Sequence, residues 1–185
     1  MLEAIQNLDQ AVLLWIQEAV RLEVLNPLVE LYTTLGNGGA LWIVLSLVLL
    51  CRKSTRKAGA AALLALLLGF LCTNVVLKHL VHRPRPYTVA EGLAPLLLSG
   101  DPNSFPSGHT CAAFAAGLAW AGTIPARWAR IAAAAGAVCM GLSRLYVGVH
   151  YPSDVLAGAA VGALCALAAL RLIRRWAGGD KDPVK

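Results

Sequence analysis

Long uncharged stretches, separated by short polar segments, set the pattern of this 185-residue chain. A helix needs about 20 apolar residues to cross the hydrocarbon layer of a membrane, and the first two stretches meet that length. The later stretches are shorter, but flanking residues can extend them. The pattern therefore predicts five membrane-spanning helices, over residues 31–51, 58–77, 110–126, 131–143 (continuing toward 149) and 155–170.

Residues 1–24 follow a different pattern, in which apolar side chains recur at helical spacing opposite a polar face. Such an amphipathic stripe is typical of a helix at the membrane interface, and charges at mid-span are costly. We expect a surface-lying helix, with a sixth span as the alternative. The opening residues lack the basic start of a cleaved signal peptide. The apolar positions are Ile5, Leu8, Val12, Trp15, Ile16 and Ala19, and the polar ones are Asp9, Gln10, Gln17 and Glu18.

Composition places the chain among membrane proteins. Hydrophobic residues make up 58% and charged residues only 14%, whereas about a quarter of a soluble domain is charged. We expect one all-α polytopic membrane helical bundle of five to six transmembrane helices with an N-terminal amphipathic helix. It divides into that helix at 1–24, a transmembrane domain at 25–176 and a cytoplasmic polar tail at 177–185. A GxxxG pair at Gly158 and Gly162 indicates close helix packing in the fifth span.

Basic residues indicate the orientation of the bundle. Eleven of the sixteen Lys and Arg residues fall in three groups that five alternating spans place on one side of the membrane. Because cytoplasmic loops are rich in Lys and Arg, this side and the C-terminus are expected to be cytoplasmic. The net charge of +6 does not indicate nucleic-acid binding, because these residues border apolar runs. The groups are Arg52, Lys53, Arg56 and Lys57; Arg127 and Arg130; and Arg171, Arg174, Arg175, Lys181 and Lys185.

Three polar clusters then share the outer face, and together they provide the parts of a phosphate site. Lys78, Arg85 and Arg144 supply cations, and the planar fork of arginine matches phosphate oxygens. Ser107 can cap a helix whose unpaired N–H groups favour an anion, and Gly108 permits close backbone approach. The clusters are KHLVHRPRPY at 78–87, SFPSGH at 104–109 and SRLYVGVHYPSD at 143–154.

Two histidines in these clusters, His109 and His150, suit phosphoryl transfer. A neutral imidazole can attack phosphorus, and a second can protonate the leaving oxygen. Asp154 follows His150 by four residues. A carboxylate there can hold the tautomer of the imidazole and stabilise its cationic form.

In order and spacing, the clusters resemble the signature of the type 2 phosphatidic acid phosphatase (PAP2) superfamily, which also includes vanadium haloperoxidases. The signature is K-x6-RP, then PSGH, then SR-x5-H-x3-D, and the resemblance covers about residues 58–170. It implies that His150 is the nucleophile, that Asp154 orients it, and that His109 is the general acid and later the base. It also implies that no metal or cofactor takes part. The phosphate-binding positions that it implies are Lys78, Arg85, Ser107, Gly108 and Arg144.

A phosphate site at the outer membrane boundary suits a lipid with an anionic head. Short bacterial members of the superfamily act on undecaprenyl diphosphate, phosphatidylglycerol phosphate or phosphatidic acid. The resemblance thus implies a lipid phosphatase of the bacterial plasma membrane that works through a phosphohistidine. Undecaprenyl diphosphate, hydrolysed to the monophosphate used in cell-wall synthesis, is the leading expectation, followed by the other two lipids.

Two alternatives come from other classes of protein: an anion-binding lipid transport protein, and a vanadate-dependent peroxidase that uses the same pocket. The sequence leaves the oligomeric state open. Arg83 and His82 fall outside the signature, and we expect them to be loop residues near the mouth of the pocket.

Overall fold

Runs rich in alanine and leucine, which are both strong helix formers, fold into helices along the whole described chain. The structure is a computed structural model that describes residues 2–178, and all regular secondary structure in that range is helical. The all-α prediction is therefore confirmed for these residues, whereas residues 179–185 of the predicted polar tail lie outside them. The helices are α1 Leu2–Trp15, α2 Asn26–Leu35, α3 Ala40–Leu50, α4 Arg56–Phe70, α5 Lys78–Val81, α6 Pro86–Val89, α7 Gly108–Ala121, α8 Arg127–Tyr146 and α9 Pro152–Gly178.

The first predicted span, 31–51, is not one continuous helix. It consists of α2 and α3, which are bent by 52° relative to each other at the sequence Gly36-Asn37-Gly38-Gly39. Gly38 and Gly39 have φ angles of 59° and 75°, a left-handed conformation that glycine adopts without steric cost. The bend carries Asn37 to the end of the bundle where the site lies.

Within residues 2–178, two helical rods are long and apolar enough to cross a membrane, Arg56–Val81 and Pro152–Arg175, and the bent pair of α2 and α3 counts as a third if it is one span. The first rod joins α4 to α5 through a π-helical stretch at Leu71–Leu77. A span count of five to six stays a prediction, because α7 and α8 do not meet the same criterion.

The helix α7 lies at the centre of the bundle, against α4, α8 and α9. Small residues bring α9 close to it: a Cβ atom on Gly158 would lie 2.5 Å from the carbonyl oxygen of Ser107, and one on Gly162 would lie 2.5 Å from that of Cys111. In lipid, helix association depends on such close van der Waals contact. The GxxxG pair therefore fixes α9 against α7. The fully buried alanines of α7 are Ala113, Ala115, Ala116 and Ala119.

Large apolar side chains point outward from this alanine-rich core. A soluble monomer rarely exposes a wide apolar surface, whereas in a membrane the same side chains contact lipid chains. The surface of the bundle is therefore that of a membrane protein. Exposed examples are Val44, Leu47, Val48, Leu67, Phe70, Trp128, Ile131, Leu156 and Leu164.

The N-terminal helix α1 packs with part of its polar side against the protein. Leu8 and Trp15, from the predicted apolar stripe, are 66% and 60% exposed, whereas Asp9 is only 4% exposed and Leu13 is buried. Gln17, in the π-helical turn Ile16–Val20 that continues α1, donates a hydrogen bond to the carbonyl of Gly92. The polar side of α1 thus contacts loops of the bundle, and the apolar stripe remains available to lipid.

Candidate active site

Four helix ends meet at one end of the bundle and carry the predicted site residues. The rod of α4 and α5 ends there, as does α8, whereas α7 and α9 begin there. One cavity of about 520 Å³ is lined by Lys78, Arg85, Gly108, His109, Arg144 and His150. The other two predicted residues, Ser107 and Asp154, are fully buried next to it. The fold therefore brings the predicted positions together, and their catalytic and binding roles stay predictions.

His150 lies in the loop between α8 and α9 with its ring between a cation and a carboxylate. Its Nε2 is 2.9 Å from Nη1 of Arg85, and its Nδ1 is 3.5 Å from Oδ2 of Asp154. Nη1 of Arg85 is also 3.4 Å from Nδ1, so it lies across the ring and does not identify the tautomer. The carboxylate of Asp154 only accepts hydrogen bonds, so it favours a proton on the facing Nδ1 and leaves Nε2 unprotonated in the neutral ring. Such catalytic hydrogen bonds often tighten only when substrate binds. Burial lowers the pKa of His150, as do the charges of Arg85, Arg144 and Lys78, so the ring is neutral near pH 7.

The guanidinium of Arg85 is fixed by the surrounding loops. Its Nε donates to the carbonyl of Asp101, its Nη1 to the carbonyl of Val149 and its Nη2 to the hydroxyl of Ser99, each at 3.0 Å. Burial lowers the pKa of Arg85, but arginine remains cationic in proteins. A buried donor held in this way is suited to charge that develops on a phosphoryl oxygen.

Lys78, at the end of the α4–α5 rod, forms an ion pair with Asp101. Burial acts to raise the pKa of this carboxyl group, but the hydrogen bonds from Lys78 and the backbone of Asn103, together with the charges of Lys78 and Arg85, outweigh burial and lower the pKa of Asp101. No role for Asp101 was evident from the sequence. In the structure it holds the ammonium group of Lys78 at the wall of the cavity.

Arg144 is buried near the end of α8, with 5% of its surface exposed. Its Nη1 donates to Oγ1 of Thr33 at 2.5 Å, and Ser143 donates to the same hydroxyl at 3.2 Å. Within residues 2–178 its Nε is buried without a hydrogen-bond acceptor, which is costly for a charged donor. Helix α2 therefore orients Arg144, and an anion in the cavity would provide the acceptor that Nε lacks.

The start of α7 is tied to the start of α9. Ser107 caps α7 by accepting a hydrogen bond from the backbone of Thr110 at 3.4 Å, and its own N–H donates to the carbonyl of Asp154 at 3.0 Å. A Cβ atom on Gly108 would lie 3.1 Å from Oδ1 of Asn74. The absence of a side chain at Gly108 thus lets the rod of α4 and α5 approach the first turn of α7.

His109 lies on the first turn of α7, and its Nε2 is 2.9 Å from Oδ1 of Asn37 at the bend between α2 and α3. This contact holds the ring at the cavity that it shares with His150. Asn37 was expected inside a span, so its contact with the site was missed. The signal available was the sequence GNGG, which favours a break in a helix.

Arg83 does not lie at the mouth of the pocket as expected. Its guanidinium donates to Oδ1 of Asp154 and Oδ2 of Asp9, both at 2.7 Å, and only 15% of its side chain is exposed. The expectation was wrong because Arg83 lies behind the buried carboxylate of Asp154. The sequence did contain one hint of a separate role for Arg83: in the repeat RPRP at 83–86, only the second arginine, Arg85, belongs to the signature.

An apolar helical bundle with a buried group of cations, two histidines and a carboxylate at one end defines a polytopic membrane protein with a cationic pocket. Among the described residues, no cluster of three His, Cys, Asp or Glu side chains is arranged to hold a metal ion. The chain belongs to the PAP2 superfamily, whose family model matches residues 58–177.

Individual relatives agree with this assignment. An undecaprenyl-diphosphatase from Sulfolobus acidocaldarius is 31% identical over 121 residues, which cover 65% of this chain and 58% of the relative. The crystal structure of Aquifex aeolicus LpxE matches with a TM-score of 0.78 and 27% identity, over 87% of this chain and 93% of that one. A transmembrane PAP2-type phosphatidylglycerolphosphate phosphatase from Bacillus subtilis matches with a TM-score of 0.74 and 27% identity, over 98% and 90%. The chain spans about three fifths of the length of the first curated relatives that it matches.

Proposed function

We propose that this protein is an integral membrane lipid phosphatase that works through a phosphohistidine on His150. The observation that carries the proposal is the position of its ring. Nε2 lies 2.9 Å from Arg85, while Nδ1 faces Asp154. A neutral imidazole beside a buried cation is suited to attack an anionic phosphorus centre, which that cation attracts.

In the first step, Nε2 of His150 attacks the terminal phosphorus, the N–P bond forms, and the bond from phosphorus to the leaving oxygen breaks. That oxygen belongs to the lipid monophosphate when the substrate is a diphosphate and to the lipid alcohol when it is a monophosphate. His109, which enters this step as the imidazolium, gives its proton to the leaving oxygen. Lys78, Arg85 and Arg144 stabilise the charge on the other phosphoryl oxygens, and one such preorganised donor is worth about 10²- to 10³-fold in kcat. In the second step, His109 takes a proton from water, the water oxygen attacks phosphorus, and the N–P bond breaks. Inorganic phosphate leaves, and both histidines regain their starting protonation states.

The apolar part of the cavity supports a lipid substrate. Leu67 and Phe70 line the cavity, and each is also 55% exposed on the outer surface of α4, so the cavity borders the lipid-facing side of the bundle. A phosphate ester with a long apolar group can therefore place its phosphate at His150 while its chain stays in lipid. The further apolar lining residues include Ile43, Leu63 and Leu66.

We take undecaprenyl diphosphate as the leading substrate, with undecaprenyl phosphate as the product. The name of the Sulfolobus acidocaldarius relative supports this choice. Phosphatidylglycerol phosphate is the second candidate, because the Bacillus subtilis neighbour is a phosphatase of that lipid and matches 98% of this chain. Phosphatidic acid comes third.

We also propose a multi-pass arrangement in a bacterial plasma membrane, with residues 25–176 as the catalytic domain and the site on the outer face. The loop before α4 carries Arg52 and Lys53, and Arg127 begins α8. These three basic residues lie near the starts of α4 and α8, whereas the site lies where the α4–α5 rod and α8 end. Because basic loops favour the cytoplasm, the C-terminal end of α9 is expected on the cytoplasmic side.

Phosphate release by the purified protein from the three lipids tests the proposal. We expect His150→Ala to lose about 10⁴-fold or more in kcat, as on removal of other nucleophiles. His79→Ala is the matched control, because His79 is exposed and its ring is hydrogen-bonded to the carbonyl of Val75, one turn earlier on the same helical rod. Equal phosphate release by the wild type and His150→Ala would reject the catalytic role and favour an anion-binding transport protein.

A further inference from the structure

Behind the carboxylate of Asp154, Arg83 joins two acidic side chains from distant parts of the chain. Its Nη1 donates to Asp154 and to the hydroxyl of Ser153, and its Nη2 donates to Asp9, all at 2.7 Å. Nη2 also donates to Oε1 of Gln6 at 2.6 Å. Charge-assisted hydrogen bonds of this kind are about twice as strong as neutral ones. The guanidinium therefore has one defined position.

Asp9 connects α1 to the first turn of α9. Its Oδ1 accepts a hydrogen bond from the backbone N–H of Ser153 at 3.0 Å, and its Oδ2 accepts one from the Ser153 hydroxyl. The first N–H groups of a helix have no partner within it, and a carboxylate is favoured there by the helix dipole. Asp9 thus holds the same turn that carries Asp154.

The charges of Asp154, Arg83 and Asp9 together determine the net charge next to the ring of His150. Asp154 is fully buried, and a buried carboxylate needs a partner to stay ionised. Arg83 is that partner, but alone it would cancel the charge that Asp154 presents to the imidazole. Asp9 restores that charge, because two carboxylates and one guanidinium carry a net charge of −1. A phosphorylated imidazole is cationic, so this net charge stabilises it.

The charge on Arg83 is well defined. Burial acts to lower the pKa of its guanidinium, but the hydrogen bond to Asp9 and the charge of Asp154 outweigh burial and raise it. The ring of Tyr151 covers the guanidinium at 3.9 Å, and the backbone N–H of Tyr151 donates to Oδ2 of Asp154 at 2.9 Å. The cluster is therefore held on several sides.

We propose that Asp9 and Arg83 are positioning residues that act through Asp154 on His150, so that the N-terminal helix is part of the catalytic apparatus. The inference rests on the proposed function, since it assigns their effect to the phosphohistidine step. The protein side of α1, which carries Asp9, then contributes to turnover although it does not line the cavity.

The test compares kcat and KM of full-length purified variants on one lipid substrate. Asp9→Asn removes a charge and keeps the shape of the side chain, Arg83→Gln removes the bridge, and the double variant removes both. Gln17→Ala is the control. Gln17, in the π-helical turn Ile16–Val20 that follows α1, is hydrogen-bonded to the backbones of Gly92 and Ala94, and within residues 2–178 it has no hydrogen bond to Arg83 or to a catalytic group.

We expect Asp9→Asn to lower kcat by about 10- to 100-fold, the range found for second-layer partners of metal ligands, with KM unchanged. Rapid-quench measurement of the phosphoenzyme should show that its formation slows by the same factor. The double variant should be no slower than Arg83→Gln, because residues that act through one another are not additive. Gln17→Ala should keep the wild-type kcat.

Wild-type kcat in Asp9→Asn would overturn the inference, and so would a loss confined to KM or an equal loss in Gln17→Ala. If Asp9→Asn does not fold, the double variant with Arg83→Gln is used instead. A wild-type kcat in the double variant would equally overturn the role of Asp9. His150→Ala is measured alongside. Full activity in His150→Ala overturns the proposed function, whereas an inactive His150→Ala with a fully active Asp9→Asn overturns only the role of Asp9.

Discussion

A methyl group added at Gly158 would enter one of the closest contacts between α7 and α9. The new Cβ would lie 2.5 Å from the carbonyl oxygen of Ser107, whereas ordinary contact begins at 3.4 Å, so the two helices must separate by about 0.9 Å. The displaced segments carry the site, because Ser107 starts α7 and the hydrogen bond from Ser107 to Asp154 lies beside this contact. A misplacement of 1 Å in an active site costs about 10²-fold in rate.

We therefore expect Gly158→Ala to fold and yet to lose about 10²-fold in kcat, while overpacking costs about 1–3 kcal/mol of stability. The assay is phosphate release from the preferred lipid in micelles, with the melting temperature measured in parallel. Gly162→Ala makes the same 2.5 Å contact one turn farther from the site, so it should lower stability similarly and kcat less. Gly136→Ala is the neutral control, because its Cβ would lie 3.5 Å from Trp42. Wild-type kcat in Gly158→Ala, or an equal loss in Gly136→Ala, would refute the reasoning.

Three further predictions use other parts of the site. Asp154→Asn keeps the shape of the side chain but removes its charge, so kcat should fall by about 10⁴-fold, as in serine-protease triads; a loss below tenfold in steady-state assays would contradict its role. Vanadate, a phosphate mimic, should inhibit phosphate release without conferring peroxidase activity, and a chelator should have no effect; inhibition by chelator that a divalent ion reverses would contradict the metal-free mechanism. A cysteine at Leu98, which is 79% exposed, should react with an impermeant reagent from outside intact cells once the native cysteines are replaced, whereas a tag after Lys185 should be protected; the reverse pattern would invert the topology.

The all-helical fold could be predicted from the sequence, because the length and apolar composition of a helix are read directly from one continuous stretch of residues. The signature also identified His150, Arg85 and four other residues that line the cavity, namely Lys78, Gly108, His109 and Arg144. They converge because alternating spans bring these helix ends to the same side of the membrane. The bend at Asn37 was missed because hydropathy alone does not detect the left-handed glycines in an otherwise apolar run. The contact between Asn37 and His109 could not be predicted either, because it depends on how the bend between α2 and α3 packs against the start of α7.

The pairing of Asp9 with Arg83 was missed for a related reason. In the sequence, Asp9 has the position expected for a residue on the water-facing side of an amphipathic helix, and 74 residues separate it from its partner. An amphipathic pattern shows that two faces differ, but it does not show whether water or protein covers the polar face. In this chain the polar face packs on the protein, which the exposure of Leu8 and the burial of Asp9 reveal.

The charges of the site are unequally balanced, and the imbalance matches the proposed ligand. Lys78 is paired with Asp101, and Arg83 is paired with two carboxylates. Arg85 and Arg144 are also buried, yet within the described part of the chain neither forms a salt bridge with a carboxylate. Buried unpaired charges are strongly destabilising, so two such arginines are expected only where a ligand compensates them. A phosphate monoester carries a charge of about −1.5 to −2 at neutral pH, which is close to the charge needed to balance this pair. Under the proposed function, the phosphate that Arg144 would bind accounts for the interruption of an apolar run by this arginine.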